Sequence, residues 1–269
     1  MPVQKHIDAH ESWRIFRIMA EFVEGFEVMA PVGRAVSVFG SARTKPTAPM
    51  YKAAEETARL LAKAKFAVIT GGGPGIMEAA NKGAFEAGGA SVGLNITLPQ
   101  EQEGNKYQNV SIDFHYFYAR KVMFTKYADA FICFPGGFGT MDELFEILTL
   151  VQTLKVEAFP VVLYGSKFWS GLADWMREEL CKGFIDSEDM DVFKIVDDPA
   201  EAVRLIKKRW WKPVDADLRE VAQNGKDAGK LPLESSSAAA GDTGEGTRYG
   251  KRPERTDKKH ITAKKKPQS

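Results

Sequence analysis

Short apolar runs alternate along this chain with longer segments in which apolar residues recur every three or four positions. The short runs are typical of buried parallel strands, and they cover 35–40, 66–70, 91–95, 130–134, 159–164 and 193–196. The periodic segments predict amphipathic helices at 51–64, 117–127, 168–181 and 199–210, with two more that open at the glycine clusters of 71–75 and 136–139. This order predicts an α/β fold, a doubly wound parallel sheet with helices on both faces.

An additional helix is predicted ahead of the first strand, over residues 10–29. Apolar residues form a stripe along it, and the charged residues between them include Glu21, Glu24 and Glu27. A helix that lies on a membrane surface carries mostly Lys and Arg on its polar face. The pattern therefore favours a helix that packs on the domain or on a second subunit.

The stretch from Ala130 to Lys155 predicts a phosphate-binding turn. A buried strand leads into a glycine-rich turn, and a helical pattern begins after Thr140. The turn contains Gly136, Gly137 and Gly139. Backbone N–H groups converge at such a helix N-terminus, the helix dipole favours an anion, and glycine lets the backbone approach it closely.

A second glycine cluster follows the second predicted strand, at 71–75, and includes Gly73. It matches neither the dinucleotide fingerprint nor a P-loop. Two interpretations of the cluster are therefore equally supported: a tight turn that binds no ligand, and a turn that contacts phosphate or ribose. Ser41 follows the first strand, where its hydroxyl binds a ligand or caps the turn. The polar loop at 96–109 is long enough to suggest a functional role. Because the carboxyl ends of parallel strands share one edge, we expect both clusters to face one crevice.

Composition limits the class of protein. With 44% hydrophobic residues, a chain of 269 residues can bury a sizeable core. It contains no apolar run that would span a bilayer and no signal-peptide core, which predicts a cytoplasmic protein with no membrane partner. Cys133 lies in a predicted strand and is expected to be a buried free thiol. The histidines and cysteines have no metal-ligand spacing, so no metal is expected.

The charge of the chain is unevenly distributed. Residues 251–268 contain eight Lys or Arg and two acidic residues, which leaves −5 on the rest of a chain with +1 overall. The segment around them is poor in large apolar residues, which predicts a disordered basic tail over 212–269. It lacks the interleaved aromatic residues of a recognition element, so a solvated tail is favoured over a nucleic-acid partner.

Three motifs in this order resemble those of the LOG family: TGGGPGIME at 70–78, the pair Arg120-Lys121, and PGGFGTMDE at 135–143. LOG proteins are cytokinin riboside 5′-monophosphate phosphoribohydrolases, historically labelled lysine decarboxylase-like. The resemblance spans about 35–185. It implies a Rossmann-like enzyme that hydrolyses the N-glycosidic bond of a purine nucleoside 5′-monophosphate without a cofactor, as a homodimer or larger homo-oligomer. The chain then divides into a helical extension at 1–34, a Rossmann-like nucleotide-binding catalytic domain at 35–211, and the tail.

The resemblance also implies roles for individual residues. It makes Arg120 and Glu143 catalytic, and it places the phosphate loop at 137–140. The residues implied to bind substrate are Lys121, Glu101, Thr149, Gly137, Gly139 and Thr140. The glycine turns themselves add Ser41, Gly73 and Gly136 as candidate contacts.

The chemistry of the reaction fits these residue types. Glycosidic cleavage builds positive charge on the ribose, which a neighbouring carboxylate stabilises. Glu143 is predicted to lie in the first helical turn, where the dipole favours its ionised form, and Arg120 can relieve the negative charge on the departing purine. However, Thr140 and Glu143 also fit a capping box, which the spacing alone favours.

Three other functions are compatible with parts of the sequence. A non-catalytic carrier of a nucleotide or phosphorylated cofactor would use the same crevice, although the presence of both Arg120 and Glu143 favours an enzyme. A decarboxylase would need a Schiff-base lysine, for which only Lys121 has positional support. A nucleic-acid adaptor would depend on the basic tail, and the acidic balance of the rest argues against it.

Overall fold

A computed structural model of the chain describes residues 9–97, 104–157 and 159–208, with side chains from residue 13 onwards. The backbone divides into two units, 1–224 and 225–269, and every described residue belongs to the first. The predicted tail at 212–269 and the candidate residue Glu101 lie outside the described residues, so the predictions made for them stay predictions.

Seven parallel strands form one sheet, in the order β4-β3-β2-β1-β5-β6-β7. The strands are β1 Ala35–Phe39, β2 Ala67–Thr70, β3 Ser91–Ile96, β4 Val110–Phe114, β5 Ala130–Cys133, β6 Val161–Tyr164 and β7 Phe193–Val196. The helices are α1 Ala9–Met29, α2 Pro49–Lys63, α3 Ile76–Glu86, α4 Phe117–Lys126, α5 Phe138–Gln152, α6 Ser166–Glu179 and α7 Pro199–Lys208. Short 3₁₀ turns lie at Ala30–Val32, Leu180–Lys182 and Ser187–Val192. The predicted doubly wound α/β fold is confirmed.

The sheet is buried on both faces because its strands send alternate side chains into two separate cores. In β1, Ala35 and Phe39 join the core beneath α1, α4, α5 and α6, whereas Val36 and Val38 join the core beneath α2, α3 and α7. Ser37 is buried between them, and its hydroxyl donates to the carbonyl of Phe124 at 3.2 Å. Continuous apolar strands are the expected sequence for such a sheet.

The strand β4 was not predicted. It lies at the edge of the sheet, where Ser111 and Asp113 point to solvent and Ile112 and Phe114 point to the core. An edge strand needs only alternating apolar residues, so β4 lacks the apolar run that identified the inner strands.

The direction in which strands are added reverses at β1, since β2 pairs with one side of it and β5 with the other. Val36 lies beside Val68 of β2 and beside Ala130 of β5. In open α/β sheets, ligands bind at the carboxyl ends of the strands where this reversal occurs. The turns after β1, β2 and β5 therefore surround the expected site. Within the described ranges, no helix combines the length and the apolar character required to cross a membrane.

The first helix holds the start of α4 through one buried carboxylate. Glu21 accepts hydrogen bonds from the backbone N–H of His115 at 2.9 Å and of Tyr116 at 3.2 Å, and His115 Nδ1 lies 3.0 Å from the same carboxylate. Tyr116 immediately precedes α4. Because α4 carries Arg120, the N-terminal helix helps to place a candidate catalytic residue.

We expect Glu21→Ala to destabilise the protein by about 1–3 kcal/mol, because two backbone N–H groups lose their acceptor. Denaturant unfolding measures the change. The control is Glu178→Ala, which removes an exposed carboxylate from the helix α6 and should change the free energy of unfolding by less than about 0.5 kcal/mol. Equal effects of the two substitutions would contradict the role assigned to Glu21.

Candidate active site

The turns after β1, β2 and β5 meet at Ser41. Its backbone N–H donates to the carbonyl of Pro135 at 3.0 Å, and its carbonyl accepts from the N–H of Ile76 at 3.0 Å. The two glycine clusters therefore face one crevice, as the sequence predicted. The Ser41 hydroxyl accepts from the N–H of Arg43 at 3.1 Å, so it caps its own turn and keeps its proton available to donate.

Two glycines are required by this close packing. A Cβ on Gly136 would lie 2.1 Å from Thr140 Oγ1 and 3.1 Å from the backbone nitrogen of Ser41. Gly75 has a φ of +69°, and a Cβ there would lie 2.4 Å from the Ser41 carbonyl oxygen. Larger residues would separate the three turns.

The N-terminus of α5 is open towards solvent. Gly137 is the N-cap, and no side chain in the described part of the chain caps this end. A Cβ on Gly137 or Gly139 would have nothing described within 4 Å. Uncapped N–H groups at a helix N-terminus are a favourable site for a phosphate, which fits the predicted anion role of the loop at 137–140.

The predicted capping box at Thr140 and Glu143 is wrong. Because Gly137 adopts the extended N-cap conformation, the helix begins at Phe138, three residues before the predicted start. Thr140 is then the third helical residue, and it is buried. Glu143 lies in the second turn rather than the first, so its carboxylate is free of the capping role.

The expectation that the helix dipole keeps Glu143 ionised is also wrong. Glu143 is 8% exposed, and its burial raises the pKa of its carboxyl from 4.5 to about 7, against the opposing effect of the cations Lys121 and Arg120. Near neutral pH the carboxyl exists in both protonation states. A carboxyl of this kind can accept a proton and return it.

Arg120 lies across the crevice from α5, over the turn after β2. A Cβ on Gly71 would lie 3.7 Å from Arg120 Nη1. The guanidinium carbon is 5.0 Å from the centre of the Phe117 ring and 5.7 Å from that of Phe124. Burial lowers the pKa of Arg120, while the negative charges of Glu143 and Asp142 oppose that effect.

One nitrogen of Arg120 is left without a partner. Its Nε is buried and has no hydrogen-bond acceptor among the described residues. Buried polar groups of this kind usually have partners, and an exception suggests a ligand or a catalytic role. Aromatic packing thus orients Arg120, and its Nε–H remains able to donate a hydrogen bond to an anion or a base.

Lys121 joins α4 to α5. Its Nζ lies 2.7 Å from Asp142 Oδ2 and 2.7 Å from Glu146 Oε2. Although burial lowers the pKa of Lys121, these two hydrogen bonds raise it above its ordinary value. The bridge fixes the helix that carries Arg120 against the helix that carries Glu143.

The turn after β2 is clamped by the polar loop, a feature that the sequence did not identify residue by residue. Asn105 Nδ2 donates to the carbonyls of Gly72 at 3.0 Å and Gly73 at 3.1 Å, and Gln108 Nε2 donates to Gly72 at 3.0 Å. Asn105 also donates to the buried Asn81 at 2.9 Å. The predicted contact Gly73 is therefore held in place through its carbonyl.

The structure does not bring Thr149 to the crevice. Its hydroxyl donates to the carbonyl of Phe145 at 2.7 Å, and the residue is exposed, whereas Glu143 is buried on another side of α5. Thr149 instead borders an open groove of about 620 Å³ along α4 and α5, lined by Lys121, Phe138, Met141, Asp142, Phe145, Glu146 and Leu150.

One further expectation is answered by the described residues. Cys133 is a free thiol and is buried, as predicted. No group of three or more His, Cys, Asp or Glu side chains that could hold a metal ion occurs within 9–97, 104–157 and 159–208.

The chain is similar to proteins of one family. Residues 77–206 match the family model described as "possible lysine decarboxylase". A probable cytokinin riboside 5′-monophosphate phosphoribohydrolase from Oryza sativa subsp. japonica is 28% identical over 214 residues, which are 77% of this chain and 89% of the relative. An enzyme from Rhodococcoides fascians with the same activity in its name is 28% identical, over 58% of this chain and 80% of the relative.

Solved structures have the same fold. The structural-genomics target TM1055 is 28% identical, with a TM-score of 0.50, over 65% of this chain and 99% of its own. The molybdenum cofactor carrier protein from Chlamydomonas reinhardtii is 23% identical, with a TM-score of 0.51, over 67% of this chain and 99% of its own, and it shows the fold alone. In its sequence and in its α/β fold, with glycine turns that meet at Ser41, the chain is similar to proteins of the LOG family.

Proposed function

We propose that this chain hydrolyses the N-glycosidic bond of a purine nucleoside 5′-monophosphate, either AMP or a cytokinin riboside 5′-monophosphate, to free base and ribose 5-phosphate. The observation that carries the proposal is the proximity at the crevice of the buried carboxyl of Glu143 and the guanidinium of Arg120, whose buried Nε has no acceptor among the described residues. Each group affects the pKa of the other. The named activity of the family relatives supports it.

The phosphate would bind at the N-terminus of α5. Gly137 and Gly139 leave the backbone there accessible, and helix N–H groups hold an anion without requiring a basic surface. The sugar would then lie near the second turn of the same helix, where Glu143 is buried. One end of the substrate would thus be fixed while the other is cleaved.

The reaction needs one water molecule and one proton that moves twice. The glycosidic bond breaks towards the base as positive charge grows on the ribose, and the ionised carboxylate of Glu143 stabilises that charge. Water then forms the new C–O bond and gives a proton to Glu143, which can release it to the departing base because its pKa is about 7. Arg120 supplies hydrogen bonds to the negative charge that develops on the base.

A panel of nucleoside 5′-monophosphates tests the proposal. We expect free base to appear by chromatography from AMP or from its isopentenylated analogue, and not from adenosine, which lacks the phosphate that the α5 turn holds. Release of base at equal rates from AMP and adenosine would contradict the phosphate site. Binding of the nucleotides without release of base from any of them would favour the alternative function, a non-catalytic carrier of a nucleotide or phosphorylated cofactor.

Activity should depend on pH through Glu143. Because the carboxylate must be ionised to stabilise the ribose and its pKa is raised to about 7, we expect kcat/KM to fall about tenfold per pH unit below that value. An ordinary glutamate would keep its activity well below pH 6. The measurement is the rate of base release across a pH series in buffers of constant ionic strength, and a flat profile through this range would contradict the role of Glu143.

The contacts of Lys121 argue against the decarboxylase label. A Schiff base forms on a neutral amine, whereas Nζ of Lys121 is held by two carboxylates that raise its pKa. Lys121 is better suited to fixing α4 against α5. We therefore expect no release of carbon dioxide from lysine by the purified protein.

A further inference from the structure

The helix α1 has two apolar sides, and the fold uses only one of them. Its inner side packs on α4, where a Cβ on Gly25 would lie 2.7 Å from Met123 Cε, and it buries Met29. On the outer side, Trp13 and Phe16 are 66% and 61% exposed. Met19, Val23 and Phe26 continue this outer stripe, at 55%, 54% and 38% exposure.

Such exposure is confined to one side of the molecule. In the described part of the chain, the helices α2, α3 and α7 on the opposite side of the sheet expose a single large apolar residue, Phe85. Large side chains present about 150–250 Å² each, so the outer stripe offers roughly 500 Å² of surface. Two copies of the stripe would bury about 1,000 Å², which is the area at which specific interfaces begin.

The spacing of the outer stripe fits a partner helix. Phe16, Met19, Val23 and Phe26 are separated by three, four and three residues. This is the repeat with which one helix packs along another in a coiled coil. A flat membrane surface requires no such repeat, and it favours a polar face rich in Lys and Arg, whereas Glu24 and Glu27 are exposed beside this stripe.

The charges beside the stripe specify the partner and its direction. Arg17 lies towards the start of α1, and Glu24 and Glu27 lie towards its end, all three exposed on the same flank of the helix. When two copies run antiparallel, Arg17 of each faces the glutamates of the other. In a parallel pair this flank of each helix would face the opposite flank of the partner, so Arg17 would not meet the glutamates. The stripe and its charges are therefore complementary to themselves in the antiparallel direction.

We propose that the outer face of α1 pairs with the same face of a second copy of this chain, with the two helices antiparallel. The pair is an isologous interface built from the helix that precedes the α/β sheet. It does not depend on the chemistry of the crevice, so it stands or falls separately from the proposed hydrolase activity.

Sedimentation equilibrium of the full chain over a range of concentrations tests this interface. We expect Phe16→Glu to halve the mass of the assembly, or to raise its dissociation constant by at least about tenfold, because a carboxylate replaces the centre of the apolar contact. The matched control is Phe85→Glu, which makes the same substitution at an exposed phenylalanine on the opposite side of the sheet and should leave the mass of the assembly unchanged. Thermal unfolding at low concentration checks that both variants are folded.

A charge exchange tests the antiparallel direction. Arg17→Glu alone should weaken the assembly, and adding Glu24→Arg in the same chain should restore it, since the opposite charges again face each other across the pair. Failure of the second substitution to restore the mass would overturn the antiparallel arrangement.

Two other results would overturn the proposal itself. One is a full-length protein that is monomeric at every concentration, whether the stripe is then covered by its own residues 209–269 or binds phosphatidylcholine–phosphatidylserine vesicles in a pelleting assay. The other is an oligomer whose mass is unchanged by both Phe16→Glu and Val23→Glu, which would place the interface elsewhere.

Discussion

Glu143→Gln is expected to abolish the release of base from nucleoside 5′-monophosphates while nucleotide binding is retained. Glutamine has the shape of glutamate but can neither stabilise a positive ribose nor accept a proton from water. A loss of about 10²–10⁴-fold in kcat is typical when a group of this type is removed. The phosphate cradle at 137–140 is built from backbone, so the affinity for AMP, measured by calorimetry, should change little.

The same substitution should stabilise the protein at alkaline pH. Because the pKa of Glu143 is raised in the folded chain from 4.5 to about 7, the folded state binds more protons than the unfolded state between these values. The free energy of unfolding then falls as pH rises through this window, by up to about 3 kcal/mol. Glutamine does not ionise, so its burial requires no free energy of ionisation. We therefore expect Glu143→Gln to be more stable than the parent by roughly 1–3 kcal/mol at about pH 8, and by less at about pH 5.

These two effects separate a catalytic role from a structural one. A glutamate kept for stability would give an inactive variant that is also less stable. The matched control is Glu146→Gln on the same helix, which removes one of the two carboxylates on Lys121 and should retain most of the activity. Cleavage of AMP by Glu143→Gln at the parental rate would contradict the assignment of Glu143 as a catalytic residue.

The pattern of apolar residues was sufficient to predict the fold. The six predicted strands lie within two residues of the observed ones, because both faces of the sheet are covered and most of these strands are rich in apolar residues. The start of α5 was placed three residues late, since Phe138 and Gly139 are not periodic with the buried residues that follow them. Only the extended conformation of Gly137 shows where the helix begins.

The site was predictable in part. The meeting of the glycine turns follows from topology, whereas the roles proposed for Arg120 and Glu143 come from the family resemblance and stay predictions. The clamp of Asn105 on the glycine turn depends on how the polar loop folds back over β2, and no local pattern specifies that path. The raised pKa of Glu143 likewise depends on the burial of its carboxyl, which is a property of the packed molecule.

Arg120→Met is expected to reduce kcat/KM for AMP by about 10²–10³-fold, because the hydrogen bonds and the charge that relieve the departing base are lost. Methionine retains an apolar stem of similar length, so the contacts with the rings of Phe117 and Phe124 persist in part and the fold should be kept. The matched control is Lys126→Met, which removes an exposed cation from the same helix and should leave the rate unchanged.

The substitution of Arg120 should also move the pH profile. Arg120 and Lys121 both lower the pKa of Glu143 against the effect of its burial, so removing the guanidinium should raise that pKa further. The acid limb of kcat/KM in Arg120→Met would then lie at higher pH than in the parent. A reduced rate with an unchanged pH midpoint would mean that Arg120 contacts the substrate without being coupled to Glu143, because a change in the carboxyl's environment must appear in its titration.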